Sequence, residues 1–164
     1  MITISEALPN EYNIIQEIAY KTWPDCYGNI LSKIQLDYML GKFYSLEALH
    51  NNTLNGQHFL LIKETGIPLG FAAYEHNYTG RNVTRIHKIY VLPTTQGKGL
   101  GKLLIQKMQS FAEENHSEAL SLNVNRFNPA RSFYEKIGFK IVAEEDIEIG
   151  NGYLMEDYIM EKQL

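Results

Sequence analysis

Val91–Met108 reads VLPTTQGKGLGKLLIQKM and sets three glycines, Gly97, Gly99 and Gly101, at alternate positions between a β-like run and an amphipathic helix. Glycine loses more conformational freedom on folding than any other residue, so something must need the bare backbone. Upstream, VTRIHKIYVLP (83–93) reads as a strand. Downstream, Leu100, Leu103, Leu104, Met108 and Phe111 follow a helical stripe. A loop between a strand and a helix start aims several N–H groups at one point and adds the positive end of the helix dipole. Lys98 and Lys102 reinforce that field. Residues Gln96, Gly97, Lys98, Gly99, Leu100, Gly101 and Lys102 therefore read as a pyrophosphate cradle. Two other glycine motifs fail. A dinucleotide fingerprint needs a third glycine where Lys102 stands, and a Walker loop needs Ser or Thr where Leu103 stands and glycine where Gln96 stands. The pattern present is Q-x-x-G-x-G.

Around this stretch the chain reads as alternating elements. ITISEAL (2–8) is a strand. NEYNIIQEIAYKTW (10–23) is a helix, with Asn10 as N-cap and Pro24 as its end. NILSKIQLDYML (29–40) and SLEALHN (45–51) are two further helices. QHFLLIKE (57–64), IPLGFAAYEHNY (67–78) and the strand before the glycines follow one another through short turns, which predicts an antiparallel meander. ALSLNVN (119–125) is a short strand. NPARSFYEKIG (128–138) is a helix, with Asn128 as cap, Pro129 in the first turn and Gly138 as its end. FKIVAEEDIEI, the turn GNG and YLMEDYIMEKQL make a terminal hairpin. The order predicts an α/β (α+β) fold, a mixed and mostly antiparallel sheet of about seven strands flanked by helices, in one domain over 1–164.

Composition bounds the partners. The chain holds 164 residues with 45% hydrophobic content, enough for a full core. No apolar run reaches the length of a membrane span, and the start lacks the pattern of a signal peptide. The single cysteine, Cys26, cannot form an internal disulfide, which fits a reducing, cytoplasmic setting. A net charge of −4 argues against nucleic acid. From Arg81 to Lys140, ten Lys/Arg against four Asp/Glu give +6. The remaining five Lys/Arg against fifteen Asp/Glu give −10. One half suits an anion, the other a cation.

Gln96–Gly101 resembles the acyl-CoA pyrophosphate loop of the GNAT superfamily of N-acetyltransferases. HKIYVLP resembles that family's fourth strand, and NPARSFYEKIGF (128–139) resembles its second motif. The two motifs stand in the family's order, and the resemblance covers Arg85 to Phe139. It implies acetyl-CoA as cosubstrate, no metal, and direct attack of an amine on the thioester. It implies a GNAT-like fold in which the fourth strand splays from the fifth. The backbone of Tyr90, Val91 and Leu92 would then hold the pantetheine arm, with the N–H of Tyr90 or Val91 polarising the carbonyl. It implies Tyr134 as general acid to the CoA thiolate, since a phenol can donate to a thiolate as it forms. Asn128 is implied in binding the cofactor arm as well as capping its helix, whereas Phe133 and Ile137 read as packing.

One position departs from the family. Many members carry glutamate two residues before the position of His87, and this chain carries Arg85, which cannot accept a proton. The base is left open between His87 and Glu75, the latter acting directly or through a water. The resemblance places the acceptor between Trp23–Tyr44 and Glu144–Asp157. The aromatics Trp23, Tyr27, Tyr38, Phe43 and Tyr44 and the carboxylates Glu144, Glu145, Asp146, Glu148, Glu156 and Asp157 suit a cationic primary amine, small or peptide-borne. Dimers are common in the family, so a homodimer is an expectation. Two alternatives stand: a non-catalytic acyl-CoA-binding or sensor module of the same fold, and a binder of nucleotide phosphates.

Overall fold

The computed structural model describes residues 1–164. Seven strands form one sheet: β1 (Ile2–Glu6), β2 (His58–Glu64), β3 (Ile67–Glu75), β4 (Val83–Val91), β5 (Ala119–Asn125), β6 (Lys140–Gly150) and β7 (Tyr153–Gln163). Their order is β1-β2-β3-β4-β5-β7-β6. Every pairing is antiparallel except β4 with β5, which is parallel. The helices are α1 (Tyr12–Tyr27), α2 (Lys33–Tyr44), α3 (Leu46–Leu54), α4 (Leu100–Glu114) and α5 (Ala130–Lys136). The expected meander is β2-β3-β4, and the terminal hairpin is β6-β7.

The sheet is buried on both faces at its centre because side chains alternate along each strand. Phe59 and Leu61 of β2, with Phe71 and Ala73 of β3, pack under α1, α2 and α3. Leu60 and Ile62, with Ala72 and Tyr74, pack under α4 and α5. On α4 the buried stripe is Leu100, Leu104, Ile105, Met108 and Ala112. Leu103 is 38% exposed, so the stripe lies slightly round the helix from the expected one. Removing a fully buried side chain such as Leu104 costs about 2–5 kcal/mol.

Helix boundaries in α1 and α2 differ from the sequence expectation. Pro24 does not end α1, which runs on to Tyr27. Proline forfeits one intrahelical bond, but Trp23 and Tyr27 on either side are 4% and 6% exposed, and their burial holds the last turn. Glu11, not Asn10, occupies the N-cap position of α1. In α2 the cap is Ser32, whose hydroxyl accepts the Gln35 N–H at 3.1 Å. The chain before it, Asn29–Leu31, is therefore outside the helix, and Ile34 is 74% exposed.

Candidate active site

β4 and β5 begin as a parallel pair and then separate. Their register runs from Val83 opposite Ala119 to Ile86 opposite Leu122 and stops there, although β4 continues to Val91 and β5 to Asn125. The parting has a local cause. Ala73 of β3 faces Lys88 and Tyr74 faces Ile86, so His87 is an extra residue in a β-bulge. A bulge raises the local twist and re-aims the strand beyond it. Beyond the bulge β4 stays with β3, where Gly70 permits close approach: a Cβ at that position would stand 2.7 Å from the Tyr90 carbonyl oxygen.

The gap is a cavity of about 760 Å³, within the usual range for small-molecule sites. Its walls are β4 from Ile86 to Val91, the end of α1 at Asp25–Tyr27, the glycine loop with the first turn of α4, and Asn128–Tyr134 around α5. On β4, the Leu92 N–H donates to Leu69 O at 2.8 Å. In an antiparallel ladder alternate residues face alternate sides. Tyr90 therefore bonds to β3, while the N–H groups of Ile89 and Val91 turn toward the cavity.

The glycine loop forms a second bank of donors. Gly97 and Gly99 have φ of +89° and +75°, a left-handed conformation that disfavours any side chain. Gly101 is different. It is a helical residue whose added Cβ would make ordinary contact with Phe133 at 3.7 Å. The first bond of α4 is Leu103 N–H to Gly99 O at 3.1 Å, and the N–H groups of Gly97, Gly99, Leu100, Gly101 and Lys102 have no acceptor in the protein. Gln96, Gly97, Gly99, Leu100, Gly101 and Lys102 line the cavity, as do Tyr90, Val91 and Asn128. Lys98 turns outward toward Glu64, 3.8 Å away. Leu92 packs against the core beneath α1. Pro129, not Asn128, occupies the N-cap position of α5, and Asn128 Oδ1 accepts the Ala130 N–H at 2.9 Å from one residue further out.

Tyr134 lines the cavity from α5. It is 9% exposed, its ring edge-on to Phe133 and Phe139. Burial, then the nearby Tyr27 and Cys26, pushes the phenol well above its ordinary value of 10, so it carries its proton throughout the neutral range. Tyr90 and Tyr27 share a hydroxyl–hydroxyl hydrogen bond of 2.8 Å, with Trp23 packed against both.

His87 Nε2 lies 2.9 Å from Glu75 Oε1. Glu75 does not itself line the cavity; it stands behind His87. Burial, followed by the charges of Lys88 and Arg85, lowers the His87 pKa to about 3. Glu75 pulls the other way, but the ring is neutral at pH 7 and donates its Nε2–H to the carboxylate, leaving Nδ1 as an acceptor. Burial also lowers Lys88 to about 8; its Nζ donates to Gln57 at 3.0 Å. Tyr78 stands over this region, edge-on to His87 at 5.3 Å and stacked on the Arg85 guanidinium at 5.1 Å.

The acceptor side is rearranged relative to the sequence expectation. Trp23 and Tyr44 are 4% and 1% exposed and belong to the core. Tyr38 donates to Ile149 O at 3.2 Å and helps bind α2 to the β6-β7 hairpin. Glu144 and Asp146 are exposed and pair with Arg126. Only Tyr27 of those aromatics reaches the cavity. Asn123 and Phe133, which sequence reasoning left out or read as packing, line it too. Asn123 faces inward by the strand alternation of β5, a signal that needed the register to be useful.

Residues 31–162 match the acetyltransferase (GNAT) domain family. The chain belongs to the GNAT family. It is thereby one of the acyl-CoA-dependent N-acyltransferases. The ribosomal protein bS18-alanine N-acetyltransferase of Haemophilus influenzae is 38% identical over 101 residues, covering 60% of this chain and 66% of the relative. The N-acetyltransferase YuaI of Bacillus subtilis is 26% identical over 164 residues, covering 95% of this chain and 90% of the relative. The fold matches the PaiA N-acetyltransferase of Thermoplasma acidophilum, solved in complex with coenzyme A. The TM-score is 0.85 and the identity 25%, covering 100% of this chain and 99% of the other. This GNAT chain thus spans about two thirds of one curated relative and nine tenths of another.

Proposed function

We propose that this protein, acting as one domain, moves the acetyl group of acetyl-CoA to a primary amine by direct attack. The observation that carries the reading is the cavity between β4 and β5, with unpaired N–H groups on two sides and a protonated tyrosine on a third. Five free N–H groups at residues 97 and 99–102 fit a diphosphate, with Lys102 beside them. The inward N–H of Val91 suits the thioester oxygen, whose charge grows in the transition state. The neutral amine attacks the carbonyl carbon, so a C–N bond forms and the C–S bond breaks. Tyr134 gives its proton to the leaving sulfur. The proton released by the nitrogen passes to Glu75 through water or through the neutral ring of His87, whose own depressed pKa makes it a poor final acceptor.

The acceptor class is a primary amine. The bS18-alanine relative acts on a protein-borne amine, and a small amine is equally compatible with the cavity. Arg85 in place of a carboxylate favours the non-catalytic acyl-CoA binder as the second reading. One assay separates the two: CoA release from acetyl-CoA across a library of primary amines, run beside calorimetry with acetyl-CoA. Turnover that falls at least tenfold in Tyr134→Phe, with acetyl-CoA affinity kept, supports the transferase. Tight acetyl-CoA binding with no amine raising CoA release supports the binder.

A further inference from the structure

Arg85 is a half-buried guanidinium without an ion pair. Its one hydrogen bond goes from Nη1 to Ser121 Oγ at 3.3 Å, and its Nε is buried with no acceptor. The carboxylates whose field reaches it make no hydrogen bond or ion pair with it. Glu161 pairs with Arg81 at 3.5 Å, and the Asn123 amide donates to Glu145 at 3.3 Å and to Asp157 at 3.2 Å. A guanidinium presents five donors and keeps its charge at any working pH. Sheltering that charge without a counter-ion is unfavourable unless something arrives to pair with it.

The surroundings say what arrives. Arg85 is directly opposite Ser121 across the parallel pair, so the two side chains share a face of the sheet. By strand alternation Asn123 and His87 share it as well. Asn123 and His87 line the cavity; Arg85 is outside its wall but stands on the same face, two residues along β4 from His87, with the Tyr78 ring over its guanidinium. Asp157, 5% exposed, sits across the face with its Oδ1 unpartnered. The Asn123 Oδ1 is also unpartnered. One unpaired cation and unpaired acceptors around a site for an amine are complementary to a zwitterion.

We propose that Arg85 anchors a carboxylate carried by the acceptor, so that the preferred acceptor is a free amino acid with its amine and carboxylate a few bonds apart. This rests on the acetyltransferase reading above. The guanidinium binds the carboxylate by charge-assisted hydrogen bonds, and the amine then lies on the His87–Glu75 side, facing the thioester.

The test measures kcat/KM for CoA release with the twenty common amino acids, their C-terminal amides, the corresponding decarboxylated amines and a tripeptide amide. The free acids are expected to exceed their amides and decarboxylated counterparts by about 10- to 100-fold, the range of a charge-assisted pair. Arg85→Gln brings that ratio near one, and Arg85→Lys keeps part of it. Equal or better turnover of amides, decarboxylated amines or the tripeptide overturns the proposal and leaves the acetyltransferase reading standing. An unchanged ratio in a folded Arg85→Gln overturns it as well. If that variant does not fold, the wild-type ratios decide. CoA release with no member of the panel or of the wider amine library overturns both readings.

Discussion

The two flanks of the β4-β5 gap are built from different parts of the chain. The flank proposed for the cofactor is made of backbone: Gly97 and Gly99 in left-handed conformations, the open first turn of α4 and the inward N–H of Val91. The flank proposed for the acceptor is made of side chains from four strands: His87 and Asn123 in the cavity wall, with Glu75, Arg85 and Asp157 behind them. A backbone site depends on local sequence, because a few consecutive residues create it. A side-chain site depends on register across distant strands. The first tolerates change in side chains but not in conformation; the second is the reverse.

The sharpest way to break this comparison is at its seam. Tyr134→Phe removes one oxygen and is expected to lower kcat about 10²-fold, the lower range for a positioned acid, while acetyl-CoA affinity in calorimetry stays within about twofold. Equal losses in both would make Tyr134 a binding group instead. Next is Gly99→Val. Nothing lies within 4 Å of an added Cβ, so the penalty is conformational, about 1–3 kcal/mol. The expectation is a ten- to hundredfold weaker acetyl-CoA affinity. Gly101→Ala, at ordinary helical angles, is expected to change affinity less than threefold. Similar losses at both positions would mean that space, not backbone conformation, governs the cradle.

His87 sharpens the acceptor flank. Its pKa is lowered to about 3 in the folded protein against about 6.5 in an unfolded chain. Between those values the unfolded state binds more protons, so the His87 contribution to stability is present above pH 6.5 and is lost progressively as pH falls toward 3. NMR of the ring is expected to show no titration between pH 5 and 8, and a shift near 6.5 would remove the neutral-ring picture. The smallest effect is Asn128→Ala, which deletes the bond to the Ala130 N–H. It is expected to cost about 1 kcal/mol in chemical denaturation.

The same contrast explains what was legible in the sequence. Q-x-x-G-x-G and the run 128–139 lie in continuous stretches, so the element order and the family resemblance that implies the cradle and the role of Tyr134 could be recognised there. The antiparallel meander and the mixed character of the sheet followed from element order, whereas which pair is parallel, β4 with β5, did not. Pro24 misled because its local cost is outweighed by burial of Trp23 and Tyr27, a tertiary effect. The bulge at His87 is invisible without the β3 register, and so is the reason that Tyr90 turns its N–H to β3 while Val91 does not. Aromatic composition suggested an acceptor box, yet Trp23 and Tyr44 fill the core. Which carboxylates stay free could not be read at all, since Arg126, Arg81 and Asn123 engage them across strands.

The most direct measurement is a crystal structure of the complex with coenzyme A. The diphosphate is predicted to lie on the N–H groups of residues 97–102, with the sulfur within about 3.5 Å of the Tyr134 hydroxyl oxygen. A diphosphate bound elsewhere, or a sulfur directed away from Tyr134, would contradict the account.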